Sequence, residues 1–148
     1  MNEGRLGVAE TQCRAFLKNN PTHTYAMSLL SEIANRLGYF DDAEFLLEKA
    51  VEFKPNDGDL RMKYAQILRK KQKFAQTTEQ VDILCNQFPD NLNYRAKKAS
   101  DVMQGGDHAK AITMFDDILK MNPYNFSTLT SKGHAQKLSL IHISEPTR

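Results

Sequence analysis

Apolar residues recur three and four positions apart along most of the chain, with polar and charged residues between them. Ala43, Leu46, Leu47 and Ala50 form one such series. This spacing places apolar side chains on one face of a helix, whereas the alternation that is typical of a strand is absent. The pattern predicts an all-α chain, with helices over residues 6–19, 25–37, 41–53, 59–71, 75–87, 92–104 and 108–121 and a last helix that begins near Ser127.

Prolines punctuate the chain at a fixed interval. Pro21, Pro55, Pro89 and Pro123 are 34 residues apart. Because proline lacks a backbone N–H group and restricts the residue before it, a helix is expected to end near each one. This period is typical of stacked helix-turn-helix repeats, in which each repeat buries its apolar face against its neighbours.

Other residues follow the same period. Gly4, Gly38 and Gly106 lie 17 residues before a proline, with Gln72 in the equivalent position, and a glycine there can end a helix in the left-handed conformation. Small residues that allow two helices to cross closely form two further series: Ser31, Ala65, Ala99 and Gly133, and Ala9, Ala43, Thr77 and Ala111. Asp41 and Asp107 precede predicted helices and are expected to cap their free N–H groups.

One pattern runs from Met27 to Pro55 and comprises Met27, Leu30, Ser31, Ala34, Gly38, Phe40, Ala43, Leu47, Ala50 and Pro55. This pattern resembles the tetratricopeptide repeat family. The resemblance covers about residues 4–137 and implies antiparallel helix pairs stacked as a right-handed α-solenoid. It divides the array into a half unit at 4–23, full units at 24–57, 58–91 and 92–125, and a truncated unit at 126–137.

The chain departs from that family's pattern at five positions. Leu84 and Ile118 replace a small residue, Gln72 replaces the glycine, and Lys98 and Lys132 occupy a normally apolar position. Because a lysine can lay its aliphatic stem along the core and keep its charge in water, we expect weaker local packing and an unchanged fold.

Residues 138–148, LSLIHISEPTR, match no repeat position. They look like the in-frame translation of a common sequencing-library transposase adapter, so we expect an artefact; a short natural tail is the alternative. On this hypothesis the natural chain is cut inside its fourth unit. Residues 4–21 form only the second half of a unit, so Met1 would be an internal methionine. Uncapped ends predict marginal solubility or self-association.

Composition limits the possible classes of protein without naming a function. A net charge of +2 is too small to indicate a nucleic-acid partner, and no membrane-length apolar run or signal peptide is visible. Cys13 and Cys85 lie on the apolar faces of different helices. We expect reduced core thiols rather than a disulfide, which favours a cytoplasmic location.

Charge is unevenly spread along the chain. Residues 60–78 contain Arg61, Lys63, Arg69, Lys70, Lys71 and Lys73 without an acid, whereas residues 32–59 are mostly acidic. The favoured interpretation is a solvated helix face and turn. An acidic or phosphate-bearing partner is the alternative, and an RNA-binding repeat would rest on this stretch alone.

Motifs for catalysis, cofactors and metals are absent from the sequence. No Cys-x-x-Cys, His-x-x-x-His or His-Glu-x-x-His spacing occurs, and Gly105-Gly106 lacks the continuation of a phosphate loop. His108 stands where Phe40 and Phe74 stand in other units, which indicates a packing role. Most aromatic residues fall on apolar faces and are predicted to lie in the core. We therefore expect no enzyme activity, no cofactor and no metal.

The resemblance implies a concave groove lined by the first helix of each unit, which would hold a peptide or partner protein. The groove positions are Tyr25, Ser28, Glu32, Asn35, Arg36, Asp59, Met62, Gln66, Arg69, Lys70, Asn93, Ala96, Ser100, Met103 and Gln104. Chaperone-binding members clamp a C-terminal carboxylate with lysine and asparagine; Ser28, Glu32, Met62 and Ala96 at the corresponding positions do not support that specialisation. The leading hypothesis is a non-catalytic protein-interaction scaffold.

An alternative comes from three segments, AETQCRAFLKNNP, LRMKYAQILRK and TLTSKGHAQK. They are similar to bacterial tetratricopeptide–sulfotransferase proteins, in which repeats precede a domain that transfers sulfate. On this alternative the chain is the accessory repeat region of a sulfotransferase, without the catalytic domain.

Overall fold

The computed structural model describes residues 3–144. Within that range the backbone forms eight helices and no strand: α1 (Glu3–Asn19), α2 (Thr24–Leu37), α3 (Phe40–Phe53), α4 (Gly58–Lys70), α5 (Phe74–Gln87), α6 (Leu92–Gln104), α7 (His108–Met121) and α8 (Phe126–Ser144). α6 and α7 have the predicted bounds. Most other helices begin one residue earlier than predicted, and α1 begins three residues earlier.

The chain divides into two compact units at a boundary inside α5, between Leu84 and Cys85. In the first unit, α1 packs on α2, α2 on α3, and α3 on α4. In the second unit, α6 packs on α7 and α7 on α8. Connections of two to four residues make successive helices antiparallel, so the predicted all-α class of helix pairs is confirmed.

A capping side chain follows each in-register proline by two positions. His23, Asp57, Asn91 and Asn125 accept hydrogen bonds from the backbone N–H groups of Ala26, Leu60, Tyr94 and Thr128, at 3.1, 3.2, 3.2 and 3.0 Å. Each acceptor satisfies a donor that the first helical turn leaves free, which fixes where the first helix of each pair begins.

The prediction of caps before the second helices is confirmed at one position and wrong at the other. The Asp107 carboxylate accepts from Lys110 N at 3.1 Å at the start of α7. α3, however, begins at Phe40 and its N-terminal residue Tyr39 makes no capping bond with its side chain. Asp41 lies inside the first turn, where its carboxylate accepts from Lys71.

The first helices of three pairs end in the same backbone conformation. Gly38 and Gly106 have φ of 83° and 95°, as expected, and Gln72 adopts a φ of 60° at the equivalent position. In each case the following N–H bonds back across the last turn, from Tyr39 to Ala34 O, Lys73 to Leu68 O and Asp107 to Val102 O. Gly4 does not share this role, because it lies within α1.

Small residues occupy the centre of the packed helices. Ser31, Ala65, Ala99, Ala43, Thr77 and Ala111 are buried, as are the larger Leu84 and Ile118. Ala9 is half-buried and Gly133 is exposed. Lys132 is half-buried and its Nζ reaches Asp116 Oδ1 at 2.5 Å, which is the expected placement of a lysine stem.

The prediction that most aromatic residues lie in the core is wrong. Phe115 is buried, whereas nine of the chain's aromatic side chains are exposed: Phe16, Tyr25, Tyr39, Phe40, Phe45, Phe53, Phe74, Tyr124 and Phe126. The physical reason is that alanine, serine and threonine fill the crossings, so the helices pack too closely to admit rings there. Cys13 and Cys85 are only half-buried, and neither forms a disulfide.

α8 continues beyond the length of the other first helices. α6 ends before Gly106, but the residue one period later is Leu140, which remains helical. Without a glycine that favours positive φ, the helix runs on to Ser144. Residues 145–148 of the predicted artefact lie outside the described residues.

Candidate functional site

Two cavities open along the face that α2 and α4 share in the first unit. One encloses about 300 Å³ and the other about 250 Å³, and Lys63 lines both. We call the residues that line them the α2–α4 groove.

The larger cavity is polar at its mouth and apolar at its base. It is lined by Ser31, Glu32, Asn35, Leu47, Lys63, Gln66, Ile67 and Lys70. Lys70 Nζ donates to Asn35 Oδ1 at 2.8 Å and lies 5.8 Å from the centre of the Phe40 ring. Glu32 accepts from Arg36 at 2.8 Å on the same helix.

The smaller cavity lies toward the N-terminal ends of the same two helices. It is lined by Thr24, Tyr25, Ser28, Lys54, Asp57, Asp59, Leu60 and Lys63. Lys63 Nζ donates to the buried Ser28 Oγ at 2.8 Å. Because seven residues separate Ser28 from Asn35 and Lys63 from Lys70, the two lysine contacts repeat two helical turns apart.

The lysines of the groove differ electrostatically from those beside it. Among the described residues, the hydrogen-bond acceptors of Lys63 and Lys70 are uncharged oxygens. Lys71 instead contacts Asp41 Oδ1 at 2.5 Å and also Glu44, and Lys73 contacts Glu44 Oε1 at 2.5 Å. The hydrogen bonds that Lys71 donates to Asp41 and Glu44 raise the pKa of Lys71. The positive charges of the groove therefore keep more capacity to bind an anion.

The α2–α4 groove contains seven of the ten groove positions predicted for the first two units. They are Tyr25, Ser28, Glu32, Asn35, Asp59, Gln66 and Lys70. Ser28 is buried at the smaller cavity, where its hydroxyl accepts a hydrogen bond from Lys63. Arg36 is exposed beside Glu32, and Met62 and Arg69 are half-buried without lining either cavity.

The remaining predicted positions lie on α6 in the second unit. Asn93 and Gln104 are exposed, and Ala96, Ser100 and Met103 are half-buried. Ala96 and Met103 pack against the cluster of Ala99, Ala111 and Phe115. The side chains of Ala96 and Met103 therefore contribute to the core of that unit and are only partly available to a ligand.

The sequence interpretation missed Lys63, which is central to the groove. The signal was available: Asp59, Lys63, Gln66 and Lys70 follow the spacing of one helix face, and Met62 lies beside it. The resemblance to the family pattern predicts Met62 in place of Lys63.

Several basic residues of the stretch 60–78 make contacts within the first unit. Arg61 is buried, and its guanidinium donates to Gln80 Oε1 at 2.6 Å and to Pro55 O at 2.9 Å. Lys71 and Lys73 bind the carboxylates of α3. The interpretation as a solvated face is therefore wrong for Arg61, which is buried against uncharged acceptors, and for Lys71 and Lys73, which pair with acids of the preceding repeat.

A third cavity, of about 380 Å³, lies in the second unit. It is lined by Cys85, Asn86, Pro89, Arg95, Lys98, Met114, Asp117 and Ile118, none of which was a predicted groove position. Arg95 Nη1 lies 3.3 Å from Met121 Sδ.

Among the side chains described, those of residues 3–141, histidine, cysteine and carboxylate groups nowhere gather in a group that could hold a metal ion. None of the described helices combines the length and apolar character needed to cross a membrane.

Comparison with known proteins identifies the repeat and the fold. A family model described as tetratricopeptide repeat matches residues 25–57. No curated protein matches the chain.

Three solved structures with similar folds are informative. A tetratricopeptide repeat protein from Parabacteroides merdae has a TM-score of 0.84 and 16% identity over 92% of this chain and 54% of its own. MamA has a TM-score of 0.77 and 16% identity over 90% of this chain and 78% of its own. YrrB, described as a tetratricopeptide repeat protein with an unusual peptide-binding site, has a TM-score of 0.72 and 14% identity over 92% of this chain and 70% of its own.

At these identities the likeness concerns the fold. Residues 25–57, which cover all of α3 and all but the first residue of α2, match the tetratricopeptide repeat model, and the chain has the all-α helical-repeat fold, of the solenoid class, seen in solved structures of tetratricopeptide repeat proteins.

Proposed function

We propose that the α2–α4 groove binds an extended peptide segment of a partner protein, so that the chain acts as a non-catalytic interaction scaffold. Tetratricopeptide repeat proteins are protein-interaction scaffolds, and YrrB, which shares the fold, is described as having a peptide-binding site. The observation that carries the proposal is the pair of cavities along α2 and α4, which share Lys63 as a lining residue.

The dimensions of the groove suit a short segment of chain. α2 rises about 16 Å from Thr24 to Asn35, which matches about five residues of an extended peptide. Asn35 and Gln66 offer amide donors and acceptors for peptide groups, and Leu47 and Ile67 offer apolar contact at the base.

Two lysines of the groove favour a carboxylate on the ligand at their own positions. Lys63 and Lys70 donate to uncharged oxygens, so a carboxylate on the ligand can replace or extend these contacts with charge-assisted hydrogen bonds. Glu32, Asp57 and Asp59 also line the two cavities and disfavour an acid placed beside them. We therefore expect peptides with one or two carboxylates rather than a polyanion.

A displayed library of random peptides, selected on the immobilised chain, tests this proposal. Peptides carrying aspartate, glutamate or a free C-terminus should be enriched, and Lys70→Glu should weaken them about tenfold or more because it replaces attraction by repulsion. The matched control is Lys120→Glu, the same change at an exposed lysine of the second unit. Failure to select peptides, or equal binding by Lys70→Glu, would contradict the proposal.

The sulfotransferase alternative is supported only by the three sequence segments and stays a prediction. Sequencing the native gene beyond the codon for Lys137, with adapter sequence removed, tests it together with the adapter hypothesis. A frame that leads into an α/β domain with a phosphosulfate-binding loop would support the accessory role. A native frame that continues through LSLIHISEPTR would show that the adapter hypothesis is wrong.

A further inference from the structure

α8 exposes a stripe of residues along one face. Phe126, Leu129, Gly133, Gln136 and Leu140 follow each other by three and four positions, so they share that face. Phe126, Leu129 and Leu140 are 78%, 43% and 66% exposed. The helix packs on α7 through a different face, which contains the buried Thr128 and Ala135.

The corresponding face of α2 is fully used in packing. Three periods before Phe126, Leu129, Gly133 and Gln136 stand Thr24, Met27, Ser31 and Ala34, all of them buried; three periods before Leu140 stands Gly38, which follows the end of α2 and is exposed. Met27 belongs to a cluster with Ala50 and Val51 of α3, and Ala34 to a cluster with Ala43 and Leu47 of α3. In this repeat, the second helix of the pair, α3, therefore covers this face of the first helix, α2.

α1 presents the matching surface of a second helix. One period before Ala43, Leu47 and Ala50 of α3 stand Ala9, Cys13 and Phe16. The α3 residues are buried, whereas α1 has no buried residue and Phe16 is 44% exposed. Both sides of one helix-pair interface are thus present in the chain, one on α8 and the other on α1.

We propose that α8 of one copy of the chain packs against α1 of a second copy, reproducing the pairing of α2 with α3. Gly133 would meet Ala9 at the crossing, as Ala99 and Ala111 share one cluster within the second unit. Burial of Phe126, Leu129, Leu140 and Phe16 drives the association. Because the two surfaces differ, the contact is head to tail, and each copy keeps a free surface for a further copy unless a ring closes.

Sedimentation velocity over a range of concentrations tests the contact. The wild-type chain should form species larger than a monomer that increase with concentration, and Gly133→Arg should abolish them by placing a charge at the crossing. No atom lies within 4 Å of a Cβ built at Gly133, so this variant should keep its helical circular dichroism. His134→Arg, at an exposed position off the stripe, is the matched control and should associate like wild type.

Cross-linking tests the direction of the contact without relying on Gly133→Arg. One chain carries Ala9→Cys and another carries Gly133→Cys, both with Cys13→Ser and Cys85→Ser. Disulfide-linked dimers should form when the two are mixed under oxidation, and neither variant alone should cross-link. The proposal would be overturned if the wild-type chain stayed monomeric in sedimentation. It would also be overturned if either cysteine variant alone formed disulfide-linked dimers. Either result leaves peptide binding by the α2–α4 groove unaffected.

Discussion

A single backbone position in each repeat, where the first helix gives way to the second, demands a left-handed conformation. Gly38 and Gly106 adopt it with φ of 83° and 95°, and Gln72 adopts it with φ of 60°. A residue with a Cβ atom is strained there by about 1 kcal/mol, whereas glycine is not. The hydrogen bond from Lys73 N to Leu68 O, at 2.9 Å, shows that the turn forms despite this cost.

Gln72→Gly is therefore expected to stabilise the protein by about 1 kcal/mol, less the entropy that glycine adds to the unfolded chain. Urea unfolding followed by circular dichroism measures the change. The reciprocal control is Gly38→Ala, which should destabilise by a similar amount even though a Cβ at Gly38 meets no atom within 4 Å. Unchanged midpoints in both variants would show that φ at this position carries no energetic cost.

At the scale of helices, the contact between α3 and α4 is reinforced by ion pairs between the carboxylates of Asp41 and Glu44 in α3 and two lysines, Lys71 and Lys73, that follow α4. Burial raises the pKa of Glu44, but the hydrogen bonds and charges of Lys71 and Lys73 outweigh it, so the net shift is downward. The pKa of Lys71 shifts upward because Asp41 and Glu44 accept its hydrogen bonds. The cluster therefore stabilises the folded state most at pH values between the pKa of Glu44 and the pKa of Lys71.

The pH dependence of unfolding should reveal this cluster. Because the pKa of Glu44 is lower in the folded state, its ionised carboxylate stabilises the fold at pH values above the ordinary pKa of 4.5. This contribution is lost as the pH falls through the pKa of the folded state. Glu44→Gln should cost a few tenths to about 1 kcal/mol at neutral pH and make the acid limb less steep. Urea midpoints measured from neutral to acidic pH test this. Glu48→Gln, at an exposed position on the same helix, is the control.

Much of the element level was predictable because it depends on local chemistry. The apolar period located the helices to within three residues, and the period of 34 located their ends. Contacts that depend on side-chain direction were not predictable. Asp41 lies one residue inside its helix and pairs with Lys71, and Lys63 enters the groove one residue from the expected Met62. The exposed aromatic residues were missed because an apolar side chain on a periodic face does not reveal how closely the helices approach.

At the scale of the whole molecule, α8 is the last helix of the described residues and ends at Ser144. Leu138 and Ser139 are half-buried, whereas Leu140 and Ile141 are exposed, so residues 138–141 add little to the core of the second unit. This segment includes the beginning of the predicted artefact at 138–148.

Deletion of residues 138–148 should remove only the helical signal of that segment and leave the thermal midpoint nearly unchanged. Circular dichroism and thermal melts measure both, and the full-length chain is the reference. The deletion should also weaken self-association, because it removes Leu140 from the exposed stripe. A truncated chain that fails to fold would show that the tail contributes to the core.

The four proline turns have one further consequence, for how such a gene can change length. In each turn the capping residue donates its N–H to the carbonyl three positions earlier: His23 to Asn20, Asp57 to Lys54, Asn91 to Phe88 and Asn125 to Asn122. Because the four turns share this hydrogen bond and a capping residue, any one of them can precede the first helix of any repeat, and no new loop is needed. Unequal recombination between the corresponding coding segments would add or remove 34 residues at a time and preserve every cap. Insertions of other lengths would break a turn.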